Sequence, residues 1–340
     1  MDPATHALTS FALARGFFPH HSWRFAASVV LAGTLADIDL LTLLFGPSAY
    51  LSGRLTIAHS VVGTVLVIAV AAAFFLSTKP KNGSPQKAGP PPVESFSSIL
   101  LATSFAAAVH LLMDSAASGG VALLWPFRPT RFAWDLFPEI DPWILALLFV
   151  GIFLPELFRL ISSEIGTKQE SPCGRNGAMV SLALLLIYAG GRAALHASAV
   201  TQFDAHSYRG ESTRRVAALP DSLSPIIWHG VVETASQICT ADLPVAGTGH
   251  FDSESATCVH KPEESVALNA AQKTQSAQEF LQAARFPKAS VDATADGFEV
   301  VLRDVVQNET LHALAARILL DRSGRVARQS IVWARHIMLR

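Results

Sequence analysis

Six ionisable side chains lie inside strongly apolar stretches of the first half of the chain. They are His6, Asp37, Asp39, His59, His110 and Asp114. At the centre of a membrane each charged residue costs about 2.5–3.5 kcal/mol on insertion scales. Imidazoles and carboxylates are ligands of zinc and manganese, and a metal ion compensates the carboxylate charge. The set therefore predicts a divalent metal site of one or two ions, with zinc favoured and manganese as the alternative.

The spacing of these residues limits how they can meet. His110 and Asp114 are four residues apart, so they share one face of a helix. Asp37 and Asp39 are two apart and would point in nearly opposite directions on a straight helix. Both could still serve one site if the helix is broken there, or if one of them binds the metal and the other supports a ligand. By depth, at about 1.5 Å per helical residue, all six fall in one layer near the outer ends of the helices.

The elements that position these residues are apolar stretches long enough to cross a membrane, which takes about 20 helical residues. They run over 24–45, 57–77, 97–118, 142–161 and 178–198, and a shorter helix is expected over 3–18. Half of the chain is hydrophobic and only 16% is charged, against about 25% charged in soluble proteins. We therefore predict a polytopic α-helical membrane domain over residues 1–198, with about five spanning helices plus the short N-terminal helix.

The composition changes near residue 200, after which charges are spread throughout. For residues 199–340 we predict a small α+β domain outside the membrane. Alternating or apolar segments at 226–234, 297–303 and 315–320 predict strands, 265–285 has helical periodicity, and Asp321–Gly324 is a hairpin signal. Cys239 and Cys258 either form a disulfide in an oxidising compartment or remain two thiols.

Lysine and arginine are unevenly divided between the loops on the two sides of the predicted helices. One side carries Arg15, Arg24, Lys79, Lys81, Lys87, Arg159, Lys168 and Arg175, and the other carries Arg54, Arg128, Arg131 and Arg192. The side with more positive charge is expected to be cytoplasmic. This predicts a multi-pass protein of a bacterial-type inner membrane with a periplasmic C-terminal domain. The net charge of −1 gives no electrostatic reason to expect nucleic acid, and protein partners are not indicated.

Several motifs resemble, in order, the inner-membrane-associated, metal-dependent hydrolase family (YdjM-like). They are Met1-Asp2-Pro3-Ala4-Thr5-His6-Ala7-Leu8, Asp37-Ile38-Asp39, His59-Ser60, His110-Leu111-Leu112-Met113-Asp114, Trp125-Pro126-Phe127 and Ile140-Asp141-Pro142. The resemblance implies a membrane-bound hydrolase, with a phospholipid or another lipid-like ester as the suggested substrate. It also implies that the six ionisable residues are the metal ligands. Family members carry a His-Arg pair where this chain has Arg54-Leu55. The loss of this pair argues against a second metal ion, or against an anion contact made by the pair.

A hydrolytic mechanism assigns further roles. A metal ion lowers the pKa of a bound water and polarises a phosphoryl or acyl oxygen. Asp39 or Asp114, whichever does not bind the metal, would be the general base. Arg192 would either clamp an anionic headgroup or extend to the outer interface.

Asp141 and Arg54 are further candidates for supporting the ligands or contacting the substrate, and membrane lipids are the expected partners. The alternative function is non-enzymatic. It is either an ion or proton transporter or a regulatory scaffold with a structural metal. Charged residues at many depths across the membrane would favour a transporter. A metal ion with four protein ligands and no open position would favour a structural role.

Overall fold

The computed structural model describes residues 1–19, 22–54, 56–78, 94–128, 130–164, 174–245, 251–307 and 313–334. Its contacts divide the chain into two compact units. The helical unit consists of Met1–Ile38, Ile57–Pro126 and Phe132–Ala194. The sheet unit consists of Asp39–Thr56, Phe127–Arg131 and Leu195–Arg340. Two short segments from the first half of the chain therefore belong with the C-terminal residues, and position 198 lies inside a helix.

The first half of the chain is helical, as its apolar stretches predict. In chain order the elements are α1 (Pro3–Phe17), α2 (Trp23–Ala32), a 3₁₀ segment (Leu35–Phe45), α3 (Pro47–Gly53), α4 (Val61–Ser77), α5 (Phe96–Ala116), α6 (Pro142–Glu164) and α7 (Arg175–Asp204). Asp2, Ser22, Ser60 and Ser95 begin α1, α2, α4 and α5, each accepting a backbone N–H with its side-chain oxygen. Polar residues at the ends of the apolar runs therefore fix where these helices start.

The prediction of about five spanning helices is wrong. Three helices of the described chain are long and apolar enough to cross a membrane, namely Phe96–Ala116, Pro142–Ile161 and Arg175–Asp204. The number is four if α2 and the 3₁₀ segment, bent by 51° to each other, form one span. The stretch 24–45 is broken because α2 ends at Gly33, and α4 has only 17 residues because Ser60 caps it at Val61. A bilayer needs about 20 helical residues.

Close helix packing in the helical unit depends on glycine. A Cβ on Gly151 of α6 would lie 2.5 Å from the Cβ of Ser181 on α7. A Cβ on Gly177 of α7 would lie 2.3 Å from the Gly151 carbonyl oxygen. Only glycine permits such an approach of two helix backbones. The same unit buries Ile144 and Leu148 of α6 against α1 and α5 residues in one apolar cluster.

The sheet unit contains two four-stranded antiparallel sheets with their strands in chain order. The strands of the first sheet are β1 (Arg215–Pro220), β2 (Ile227–Glu233), β3 (Gln237–Pro244) and β4 (Thr257–His260). Those of the second are β5 (Pro287–Thr294), β6 (Gly297–Asp304), β7 (Leu314–Asp321) and β8 (Val326–Trp333). Between the sheets in sequence, α8 (Val266–Gln272) and α9 (Gln275–Ala283) pack on the second sheet.

The C-terminal residues thus combine strands and helices, as the α+β prediction expects, but they form two antiparallel sheets with two short helices rather than one helix over 265–285. The helix predicted over 265–285 is interrupted at Thr274, whose side chain caps α9. The predicted strands 226–234, 297–303 and 315–320 are confirmed as β2, β6 and β7. The predicted hairpin turn joins β7 to β8, with Gly324 at a φ of +78°.

Each sheet has its own apolar core. Trp228 and Phe203 are fully buried beside the first sheet, where the Phe203 ring lies so close to Gly230 that a Cβ there would be 2.5 Å away. Phe280 and Ile318 are buried on the second sheet, and Tyr50 of α3 packs against the same cluster. The Tyr50 and Trp333 rings lie 5.6 Å apart. Helix α3 is therefore part of the second sheet's packing.

Cys239 and Cys258 lie directly opposite each other on β3 and β4 and form a disulfide. Of the two alternatives that the sequence leaves open, the structure has the bridge. Disulfides form and persist in oxidising compartments and are rare in the cytosol. The bridge ties the short edge strand β4 to the rest of the first sheet.

His229 on β2 lies between two carboxylates. Its Nδ1 is 2.6 Å from Asp242 Oδ1 and its Nε2 is 3.1 Å from Asp221 Oδ2. Burial lowers the pKa of His229, but the hydrogen bonds to Asp242 and Asp221 outweigh it, so that the pKa lies above 6.5. Burial raises the pKa of Asp221, but backbone N–H groups of Ser224 and Leu223 together with His229 hold it below 3.8. Both charged forms are therefore favoured by folding.

We expect this charge cluster to stabilise the fold by about 0.5–1 kcal/mol, a small effect because solvent screens the half-exposed ring. The contribution of His229 is complete below pH 6.5 and is lost as the pH rises through its raised pKa. That of Asp221 is present above pH 3.8 and is lost as the pH falls through its lowered pKa. Denaturant unfolding should give a higher free energy of unfolding at pH 5 than at pH 9 for the His229 contribution. His229→Gln should reduce this difference, and His260→Gln, at an exposed site, should preserve it. An unchanged pH dependence in His229→Gln would contradict this account.

Candidate metal centre

Four buried side chains of the helical unit come together. His6 lies on α1, Asp37 lies in the 3₁₀ segment, and His110 and Asp114 lie one turn apart on α5. One nitrogen or oxygen from each lies within 4.8 Å of the corresponding atoms of the others. A group of two imidazoles and two carboxylates with this spacing can hold a divalent metal ion.

His59 adds a third imidazole to this group. It lies in the turn before α4 and is fully buried. Its Nε2 is 3.0 Å from Asp114 Oδ2 and 3.8 Å from Asp37 Oδ1. The structure thus brings together five of the six residues that the sequence singles out as ligands. We call His6, Asp37, His59, His110 and Asp114 the buried His/Asp group.

The orientation of His110 is set from behind by a backbone group. Its Nδ1 lies 2.9 Å from the carbonyl oxygen of Gly33, to which it donates a hydrogen bond. This leaves the lone pair on Nε2, which lies 3.2 Å from Asp114 Oδ2. Metal-binding histidines commonly donate their second ring N–H in this way, which fixes the tautomer and the ring plane. Gly33 is not among the predicted site residues, although a glycine inside an apolar stretch just before Asp37 is a signal of a break.

The electrostatics of the group fit a cation. Asp114 Oδ1 lies 3.1 Å from His6 Nε2 and also contacts the amino group of Met1. Asp114 Oδ2 and His110 Nε2 are buried 3.2 Å apart, but they do not meet the geometry of a hydrogen bond. Buried polar atoms without partners are costly, and a cation between these donors would satisfy them. The residues present therefore fit a divalent metal.

Asp39, the sixth predicted ligand, lies in the sheet unit rather than with the buried His/Asp group. Its Oδ1 accepts a hydrogen bond from Nη1 of Arg54 at 3.0 Å. Both side chains are largely buried, with 6% and 11% of their surfaces exposed. Asp37 and Asp39 thus have different partners, in keeping with the opposite directions expected for residues two apart.

Two further predicted residues lie inside the helical unit with partners of their own. Asp141 begins α6, where its Oδ1 accepts the backbone N–H groups of Trp143 and Ile144 at 2.9 and 3.1 Å, and its Oδ2 accepts the Tyr188 hydroxyl at 3.0 Å. Arg192 is only 2% exposed, and its Nε donates to the carbonyl of Leu136 at 2.9 Å. Arg192 therefore lies in the interior of this unit rather than at its surface.

We expect Gly33→Ala to weaken metal binding about 10- to 100-fold, the usual cost of losing a group that supports a ligand. A Cβ at Gly33 would lie 1.8 Å from Oγ and 2.8 Å from Cβ of Ser10 on α1. The collision must displace the backbone whose carbonyl orients His110. Titration with a competing chromogenic chelator measures the affinity.

Two variants make this test specific. Ser10→Gly in the Gly33→Ala protein removes the colliding atoms and should restore most of the affinity. Gly191→Ala places a Cβ on α7 where nothing lies within 4 Å, so its affinity should equal that of the wild type. Wild-type affinity in Gly33→Ala alone would contradict the role assigned to the Gly33 carbonyl.

Comparison with known proteins gives one match. The family model for the YdjM inner membrane protein matches residues 1–199. The matched range contains every member of the buried His/Asp group. No curated protein and no solved structure is significantly similar to the chain.

Proposed function

Since the chain belongs to the YdjM inner membrane protein family, we propose that it is a membrane-bound, metal-dependent hydrolase of a phospholipid or another lipid-like ester. The observation that carries the proposal is the buried His/Asp group, in which four residues from three elements place donor atoms within 4.8 Å of one another. Nitrogen and carboxylate donors suit zinc, with manganese as the alternative. Five side chains are enough to hold one ion or to share two.

The chemistry divides between the ion and the chain. When bound, a divalent ion supplies a water of lowered pKa and polarises a phosphoryl or acyl oxygen. Asp114 belongs to the set that holds the ion, because its two oxygens lie against His6, His59 and His110. Asp39 remains the proposed proton acceptor. Its Oδ1 accepts a hydrogen bond from Arg54, which fixes the orientation of the carboxylate.

We propose that the C-terminal domain, predicted over residues 199–340, lies outside the cytoplasm. The disulfide between Cys239 and Cys258 supports this placement, because cysteines are kept as free thiols in the cytosol. Four lysines in the loops before α5 and between α6 and α7 support it too, because these loops lie on the side opposite the C-terminal domain. They are Lys79, Lys81, Lys87 and Lys168, which lie outside the described residues.

A lipid hydrolysis assay tests the proposed activity. Detergent-purified protein, loaded with zinc or manganese, is incubated with mixed phospholipid vesicles, and released products are identified by mass spectrometry. Release should stop with a chelator and resume when the metal is added back. Asp39→Asn should keep the metal content but lower the rate about 100-fold or more, since general-base catalysis contributes about 10²–10⁴-fold. Glu263→Gln, at an exposed site, should leave the rate unchanged.

Metal-loaded, folded protein that hydrolyses none of the phospholipid classes would contradict the proposal. Ion or proton flux through the same protein in proteoliposomes would then favour a transporter. A metal that is retained without either activity would favour a structural role in a scaffold.

A further inference from the structure

A cluster of arginine side chains lies in the two early segments of the sheet unit. Arg54 follows α3, and its Nη1 donates to Asp39 Oδ1 at 3.0 Å. Arg131, from the second short segment, donates from Nη2 to the backbone carbonyl of Arg54 at 3.2 Å. Arg128 lies three residues before Arg131 and is exposed. The Arg131 guanidinium thus contacts the backbone of Arg54, and the Asp39 carboxylate pairs with the Arg54 guanidinium.

The positive charge of Arg131 is less well compensated than that of Arg54. Within the parts of the chain that the structure describes, Arg131 forms no ion pair. Burial lowers its pKa, and the neighbouring charge of Arg54 lowers it further, against the opposing effect of Asp39 and Asp304. The Asp304 carboxylate is engaged elsewhere, since it accepts the backbone N–H groups of Arg285 and Phe286 at 2.8 and 3.0 Å. A guanidinium in this position gains from an added anion.

The side chains in the same segments are apolar and uncovered. Leu44 and Phe45, at the end of the 3₁₀ segment, are 79% and 78% exposed, and Phe127 is 83% exposed. Large aromatic and aliphatic side chains at such exposure mark a contact with lipid or protein. Arginine forks in the same segments as exposed apolar side chains offer groups for a molecule with a phosphate at one end and hydrocarbon at the other. A free phosphate would use the arginines but not the apolar residues.

We propose that Arg54 and Arg131 form a binding site for the phosphate of an anionic phospholipid, whose acyl chains lie against Leu44, Phe45 and Phe127. The site shares Asp39 with the hydrolysis proposed above, but lipid binding by Arg54 and Arg131 does not require that activity. Asp39 positions Arg54 in this arrangement, and Arg131 supplies the charge that selects an anionic over a zwitterionic lipid.

Lipid binding to the intact, detergent-purified protein tests the proposal. The protein is titrated with phosphatidylglycerol or phosphatidylcholine, and bound lipid is counted by native mass spectrometry. We expect phosphatidylglycerol to bind about tenfold more tightly, and Arg131→Gln to remove about tenfold of that preference, as for loss of one charged hydrogen bond. Arg131→Lys should lose part of it, because lysine keeps the charge but not the fork. Arg328→Gln on β8, also at an exposed site, should retain it.

Three results would overturn the proposal. The first is equal binding of the two lipids by the wild type, a readout that needs no variant to fold. The second is an unchanged preference in Arg131→Gln. The third is displacement of phosphatidylglycerol by equimolar inorganic phosphate, which would identify a free phosphate as the ligand. Metal content, measured on the same samples, should be equal in all variants, so that failure of this site is distinguished from failure of the metal centre.

Discussion

Asp114→Ala is expected to strip the protein of its metal ion and of all measurable hydrolysis. Asp114 lies at the centre of the buried His/Asp group, with His6 on one carboxylate oxygen and His59 and His110 on the other. Loss of a supporting group costs about 10- to 100-fold in affinity, and loss of a central ligand should cost more. Elemental analysis of purified protein should find one or two equivalents of zinc or manganese in the wild type and almost none in the variant.

Asp141→Ala is the matched control for this prediction. Asp141 is also a buried carboxylate of the helical unit, but it caps α6 and accepts the Tyr188 hydroxyl. Its loss should lower stability by about 0.5–2 kcal/mol, as for other helix caps, and leave the metal content intact. If both variants lost the metal equally, or if Asp114→Ala kept it, the assignment of Asp114 as a ligand would be wrong.

Replacing both Cys239 and Cys258 by serine is expected to lower the free energy of unfolding of the sheet unit by about 3 kcal/mol. The bridge closes a loop across a sequence separation of 19 residues, and a loop of about this length is stabilised by about 3 kcal/mol through the restricted unfolded chain. Denaturant unfolding of the wild type and the double variant measures the difference. Reductant should shift the wild type toward the variant and leave the variant unchanged.

The same cysteines test the topology. In intact cells, neither thiol should react with an alkylating reagent until a reductant is added, because a periplasmic unit would carry the bridge already formed. Alkylation of both residues before reduction would place this unit in the cytoplasm and contradict the proposed orientation. The single variants Cys239→Ser and Cys258→Ser each leave one reactive thiol and calibrate the reagent.

Much of the buried His/Asp group could be predicted from the sequence, because its members are rare residue types in apolar surroundings. The four-residue spacing of His110 and Asp114 on α5 was enough to place both on one face. Helix geometry predicted that the side chains of Asp37 and Asp39 point in different directions, but it did not predict the partner of Asp39. Arg54 is 15 residues away, and no local pattern indicates which carboxylate it will meet. The glycine at position 33 signals a break in the helix, but nothing in the sequence indicates that its carbonyl supports His110.

The number of spanning helices could not be read from hydrophobicity, because apolar length measures neither bends nor caps. The stretch 24–45 has enough apolar residues for a span, yet the chain turns by 51° between α2 and the 3₁₀ segment. In the second half of the chain, strands with strong alternation such as β6 were found. The edge strands β4 and β5 were missed because their residues are mostly exposed on both faces, so no alternation of apolar and polar residues marks them.

The contact between α3 and β8 has a consequence for the order of events during synthesis. Tyr50 of α3 rests on Trp333 at the end of β8. From the end of α3 at residue 53 to the start of β8 at residue 326, about 270 residues must be translated, which takes roughly 15 s to 1 min at ribosomal rates. Throughout that time α3 has emerged without its final partner. The packing of the sheet unit can therefore be completed only when translation is nearly finished. A polypeptide truncated before β8 would leave α3 with an uncovered apolar face for proteases and chaperones to recognise.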